Sequence, residues 1–146
     1  VTAFPANRAP TDEAGERDWL RLARSERIGP VTFAELLRRY PDAATALAAI
    51  PDLAARGGAR RSIRLADADR VAQEYDAARE AGARMLALGG PHYPLNLALV
   101  EAAPPLLWCL GDPATARPEA VAIVGARNAS ALALKFTESL ARDLGA

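Results

Sequence analysis

The run Ala120-Val121-Ala122-Ile123-Val124-Gly125 restricts this chain more than any other feature, because Leu132, Phe136, Leu140 and Leu144 follow it at intervals of four. A short apolar run closed by glycine reads as a buried strand, and the four-residue spacing over 129–144 reads as the helix after it. Strand, glycine turn and helix together are the first step of a parallel α/β sheet. A single such step cannot cover both faces of a sheet. The 146 residues are therefore expected to be a fragment, whose sheet is completed by residues outside them or by a partner chain.

The upstream sequence has a different texture. Residues 1–11 carry two prolines and no apolar periodicity, which reads as a flexible leader. Over 12–27, Trp19, Leu20, Leu22 and Ala23 fall near helical spacing, with Arg17, Arg21 and Arg24 marking a second face. The breaker Ile28-Gly29-Pro30 separates this helix from a second one, for which Thr32 and Glu35 are spaced as a capping box. Pro41 ends that helix, a third runs through Leu47 and Ile50, and Pro51-Asp52-Leu53 opens a fourth that ends near Gly57-Gly58. Residues 12–66 are thus expected to be a small helical module, and 67–146 the start of the α/β domain. In the latter, 65–83 is helical in pattern, with Val71, Tyr75 and Ala78 on one stripe. Arg84–Leu88 and Leu106–Gly111 read as short strands, and residues 91–103 as one or two helical turns.

Several function classes are excluded by simple chemistry. A single cysteine, Cys109, allows no internal disulfide, and one histidine, His92, allows no Cys/His metal cluster, so neither a metal nor a cofactor is expected. No apolar run reaches the ~18–20 residues of a membrane span, and Val1–Pro5 lacks the layout of a secretory signal, so the expected compartment is the cytoplasm. Acidic and basic residues both number 18, so any attraction for a polyanion must be local.

The strongest local candidate is Gly125-Ala126-Arg127-Asn128-Ala129-Ser130. A glycine at a strand end permits a tight turn, and the free N–H groups at the start of the next helix favour an anion above the sheet. The dinucleotide fingerprint G-x-G-x-x-G would need glycine at 127, where this chain has Arg127, and usually a small residue at 130, where it has Ser130. That disfavours a pyrophosphate loop and suits a phosphodiester approached from outside. The alternative is that Arg127 pairs with a neighbouring carboxylate.

Residues 121–130 resemble the V-A-I-V-G-x-R-x-x-S signature of the DNA-processing protein A (DprA/Smf) family. Leu88-Gly89-Gly90-Pro91-His92-Tyr93-Pro94-Leu95-Asn96-Leu97, Pro104-Pro105-Leu106-Leu107-Trp108 and Leu110-Gly111-Asp112 are similar to its Y-P-x-x-L, P-P-x-L and G-D series. Trp19-Leu20-Arg21-Leu22 and Arg27–Phe33 look like its opening helical module, related to sterile-alpha-motif (SAM-like) and helix-hairpin-helix folds. The resemblance implies an α/β protein: a helical SAM-like module joined to an extended Rossmann-like parallel sheet. It also implies a cytoplasmic homodimer that binds single-stranded DNA and helps load the RecA recombinase during natural transformation. Arg127 is then the candidate phosphate contact, with Gly125, Asn128 and Ser130 shaping the pocket. Two departures stand out: Ala131-Leu132-Ala133 replaces the family's aromatic and glycine after Ser130, and its S-G-x-A-x-G-I-D segment does not occur in these residues.

Other candidates have plainer readings. Ile28-Gly29-Pro30 could bind a phosphate as a hairpin turn, but proline removes a donor and favours a structural role. The arginines at 17, 21 and 24 are diluted by Glu16, Asp18 and Glu26 and read as solvated surface. Those at 56, 60, 61 and 64 form a denser group that could equally be a basic track or plain surface. His92 beside Tyr93 lacks a carboxylate or thiol close in sequence and reads as surface rather than a catalytic pair; Trp19, Trp108, Phe136 and Cys109 read as core. No catalytic set is visible. The rival from another class is a nucleotide-binding enzyme of the lysine-decarboxylase-like phosphoribohydrolase type, which would need a glycine-rich phosphate loop and a catalytic glutamate downstream.

Overall fold

A computed structural model describes Phe4 and residues 8–56, 63–116 and 119–145. The chain divides into two compact units, 1–116 and 117–146. In the first, helices α1 (Glu13–Arg24), α2 (Pro30–Arg39), α3 (Ala43–Arg56) and α4 (Ala68–Glu80) precede strand β1 (Arg84–Ala87), the short α5 (Leu95–Ala98) and strand β2 (Leu106–Cys109). The second contains α6 (Ala131–Leu144).

Helix α1 is locally well specified. The Asp12 carboxylate accepts from the Gly15 N–H at 2.8 Å, Glu13 and Glu16 occupy the first turn, and Arg21 and Arg24 the last, all complementing the helix dipole. Helix α2 begins two residues before the expected Thr32 cap. Gly29 is the N-cap, with no side-chain hydrogen bond, and Pro30 is the first helical residue, where its missing N–H is an orphan in any case. Helix α3 corrects a second expectation. The two short helices anticipated around Pro51 are one, because continuing through the proline keeps Leu53 on the stripe of Ala46, Leu47 and Ile50 that packs into the core.

At the centre of the first unit sits Trp19, 1% exposed, its ring meeting Phe4 edge-on at 6.0 Å and Phe33 at 4.9 Å. Its Nε1–H donates to the Pro105 carbonyl at 2.8 Å, which also accepts the Leu88 N–H at 2.9 Å. The Tyr93 hydroxyl donates to the adjacent Pro104 carbonyl at 2.8 Å, and burial pushes that hydroxyl up to about 12. Two prolines in a row offer acceptors and no donors, so both carbonyls can be spent on the core without stranding an N–H. Two residues of the stretch expected to be a leader make contacts with the helical module. Phe4 reaches Trp19, and Arg8 Nη1 donates to the Pro41 carbonyl at 2.8 Å, because these residues cover core surface that α1 leaves open.

The arginines of α1 reach solvent, as expected, but each also has a partner. Arg17 Nη2 lies 2.9 Å from Glu13 Oε1 and 2.6 Å from Asp76 Oδ1, and its guanidinium stacks 4.4 Å above the Tyr75 ring. Arg24 grips Glu74 through two bonds of 3.0 and 2.7 Å, and Trp108 Nε1–H donates to the same carboxylate at 3.1 Å. Arg21 Nε donates to the Ala66 carbonyl at 3.0 Å, and the Tyr75 hydroxyl donates to Glu16. Each basic residue of that face is thus bound to α4 or to the chain leading into it.

Strands β1 and β2 are both present, but they pair antiparallel, with Arg84 opposite Cys109 and Ala87 opposite Leu106. A parallel return would need a crossover that climbs back along the strand. Four-residue α5 rises only ~6 Å, against the ~13 Å of a four-residue strand. Residues 120–125 form no helix or strand and have no strand partner among the described residues, and Val121 and Val124 are 68% and 91% exposed. The expected parallel, Rossmann-like sheet therefore does not form among the described residues: a strand is completed by a neighbour's hydrogen bonds, which an apolar run cannot supply for itself.

Two outcomes follow. Trp19→Phe keeps most of the apolar bulk and removes the bond to Pro105, and urea unfolding should show a loss of about 1–3 kcal/mol. The Arg24 guanidinium, followed by Trp108, holds the Glu74 carboxyl below its usual 4.5. The stability this contributes is present above pH 4.5 and lost as pH falls through the lowered value, so Glu74→Gln should give a flatter acid limb when midpoint is plotted against pH.

Candidate nucleic-acid interface

The second unit is a short segment without regular structure that leads into a helix. Residues 127–128 form a turn, and Ser130 is the N-cap of α6, its Oγ accepting from the Ala133 N–H at 3.2 Å while its carbonyl takes the Leu134 N–H at 3.0 Å. A helix leaves its first four N–H groups without intrahelical partners. Ser130 satisfies that of Ala133, and those of Ala131 and Leu132 have no partner among the described residues. The first turn of α6 contains no acidic side chain to neutralise this end.

Gly125, Arg127, Asn128 and Ser130 are all exposed and lie within six consecutive positions of the chain. Arg127 has no ion-pair partner among the described residues. Gly125 behaves differently from expectation. Its φ is not in the left-handed region, and a Cβ there would meet nothing within 4 Å, so the turn at 127–128 does not require glycine at 125. Asn128 sits in the turn itself.

One contributor was passed over in reading the sequence. Lys135 lies exposed on α6, and between Glu119 and Glu138 the chain carries Arg127 and Lys135 with no acidic residue at all. That charge asymmetry was visible in the sequence, hidden only by the neutral total. His92 is exposed, whereas Tyr93 is buried with its hydroxyl committed to Pro104, so the two do not form a reactive pair. Arg60 and Arg61 lie outside the described residues. Among the described residues no group of three or more His, Cys, Asp or Glu side chains could hold a metal ion, and no helix is long and apolar enough to cross a membrane.

The chain thus combines a helical module with an arginine-bearing segment that leads into a helix. Comparison with known families bears on both parts: residues 13–77 match the DprA-like N-terminal HHH domain, and residues 84–146 match DNA recombination-mediator protein A. The chain belongs to the DprA family, and its role is DNA recombination mediation in DNA processing. A search of the curated proteins gives no match.

The cap is separable from any ligand contact. Ser130→Ala should destabilise α6 by about 1 kcal/mol, read by hydrogen exchange as faster opening at the Ala133 amide while amides of α1–α3 keep their rates.

Proposed function

We propose that this chain binds single-stranded DNA through the segment Gly125–Ser130 and, as a homodimer in the cytoplasm, presents the strand to the RecA recombinase during natural transformation. The observation that carries the reading is Arg127: an exposed guanidinium with no acidic partner, three residues before a helix N-terminus whose first turn bears no carboxylate. Family membership supplies the nucleic-acid context. An arginine fork and free backbone amides recognise phosphate oxygens and not base edges, so binding should tolerate any sequence. Ser130 contributes by fixing the first turn of α6, which leaves the Ala131 and Leu132 amides as donors. The proposed action is binding and presentation, with no bond made or broken by the protein.

Fluorescence anisotropy of a labelled oligo-dT against the full-length protein tests this. Wild type should bind in a salt-sensitive manner, and Arg127→Ala should weaken binding by about tenfold and reduce the slope of log K against log salt by about 0.7, the value of one single-strand phosphate contact. Folded wild-type protein that fails to bind, or an Arg127→Ala variant with unchanged affinity and slope, overturns the reading.

A further inference from the structure

Where the C-terminal end of α1 meets the start of α4, the first unit has a cleft of about 790 Å³ lined by Arg24, Glu26, Arg64, Arg70 and Glu74, with Leu65, Ala66 and Val71 as its apolar wall. Its backbone is fixed. The Arg64 carbonyl accepts the Glu26 N–H at 2.9 Å, and the Ala66 N–H donates to Ser25 Oγ at 3.0 Å. The buried Ser25 hydroxyl in turn donates to the Arg21 carbonyl at 2.8 Å, and the Ala66 carbonyl takes Arg21 Nε. Arg64 therefore projects from a clamped segment rather than a loose one.

By formal count the cleft is neutral, but its charges are not equally available. Asp67, also on the lining, is spent on capping α4, where it accepts the Arg70 N–H at 3.0 Å. Glu74 is held by both bonds from Arg24. Glu26 lies 3.8 Å from Arg64 Nε, with the two side chains 52% and 87% exposed, a pair too open to hold the guanidinium. Arg70 is exposed and has no ion-pair partner among the described residues. What remains uncommitted is two guanidinium groups, Arg64 and Arg70, against the single open carboxylate of Glu26.

We infer that this cleft is a second phosphodiester-binding site for single-stranded DNA, with Arg64 and Arg70 as the phosphate donors and the Arg24–Glu74 pair as its rigid floor. Two arginine forks suit phosphate oxygens, and Leu65, Ala66 and Val71 offer an apolar face to sugar and base. The site rests on the reading that the chain binds single-stranded DNA, and extends that reading from the second unit to the helical one.

The test uses the full-length protein and a long labelled oligo-dT over a salt series, with wild type, Arg64→Ala/Arg70→Ala, Arg127→Ala and Arg64→Lys/Arg70→Lys side by side. The double alanine variant should bind about tenfold more weakly and lose about 1.4 from the salt slope, two contacts at 0.7 each, with an unchanged far-UV circular dichroism spectrum. The lysine pair should recover most of the slope. If the alanine pair misfolds, Arg64→Gln/Arg70→Gln replaces it with the same expectation. Wild-type affinity in the double variant alongside weakened Arg127→Ala binding overturns this inference and leaves the first reading standing. Absence of wild-type binding overturns both. A double variant that keeps oligo-dT but loses a poly-glutamate peptide overturns it in favour of an acidic-protein site.

Discussion

The bond from the Trp19 indole to the Pro105 carbonyl is what lets one core serve both the helical module and the strand pair. It joins residues 86 positions apart, and it does so at a carbonyl that also receives the Leu88 N–H from the end of β1. A buried carbonyl left without donors costs free energy comparable to a lost hydrogen bond. Here the acceptor is filled twice, from α1 and from the chain leaving the sheet. Tyr93 does the same for Pro104. The P-P and Y-P motifs, which in the sequence looked like family markers near a candidate site, are thus the fastening between the two halves of the first unit.

Around that centre the α1–α4 contact is built from charge. Arg17, Arg21 and Arg24 meet Asp76, the Ala66 carbonyl and Glu74, and Tyr75 inserts between Glu16 and the Arg17 guanidinium. Burial, followed by the Glu16 bond, pushes the Tyr75 hydroxyl up to about 12, so it remains a donor throughout the neutral range. Partly exposed pairs are individually weak. Their collective value is directional, since only one rotation of α4 about its axis satisfies all of them.

Much of this was legible beforehand, for identifiable reasons. α1 carries the helical spacing of Trp19, Leu20 and Leu22, α6 its four-residue apolar spacing, and β1 and β2 their short apolar runs. What the sequence hid were features that depend on a partner. The partners of the α1 arginines were hidden because Glu74 and Asp76 lie 50 and 59 residues away from Arg24 and Arg17. The antiparallel pairing depends on how the chain between the strands folds back, and Val121–Val124 has strand composition without a strand neighbour among the described residues. Pro51 was read as the start of a separate helix because local cost was weighed without the buried stripe that continues past it. At the candidate site, the clustering of Arg127, Asn128 and Ser130 was readable from adjacency alone, whereas the cleft at Arg64 and Arg70 required knowing that Asp67 and Glu74 were already engaged.

The proline inside α3 also divides that helix energetically. Pro51 has no N–H for the Leu47 carbonyl, so the final turn of α3 is tied to the preceding ones by one hydrogen bond fewer. Fraying from the Arg56 end therefore meets its lowest barrier there and halts at Ile50, which is 1% exposed and locked into the core. The helix acts as a fixed stem with a more weakly tied last turn, whose local opening leaves the packing around Trp19 as it is.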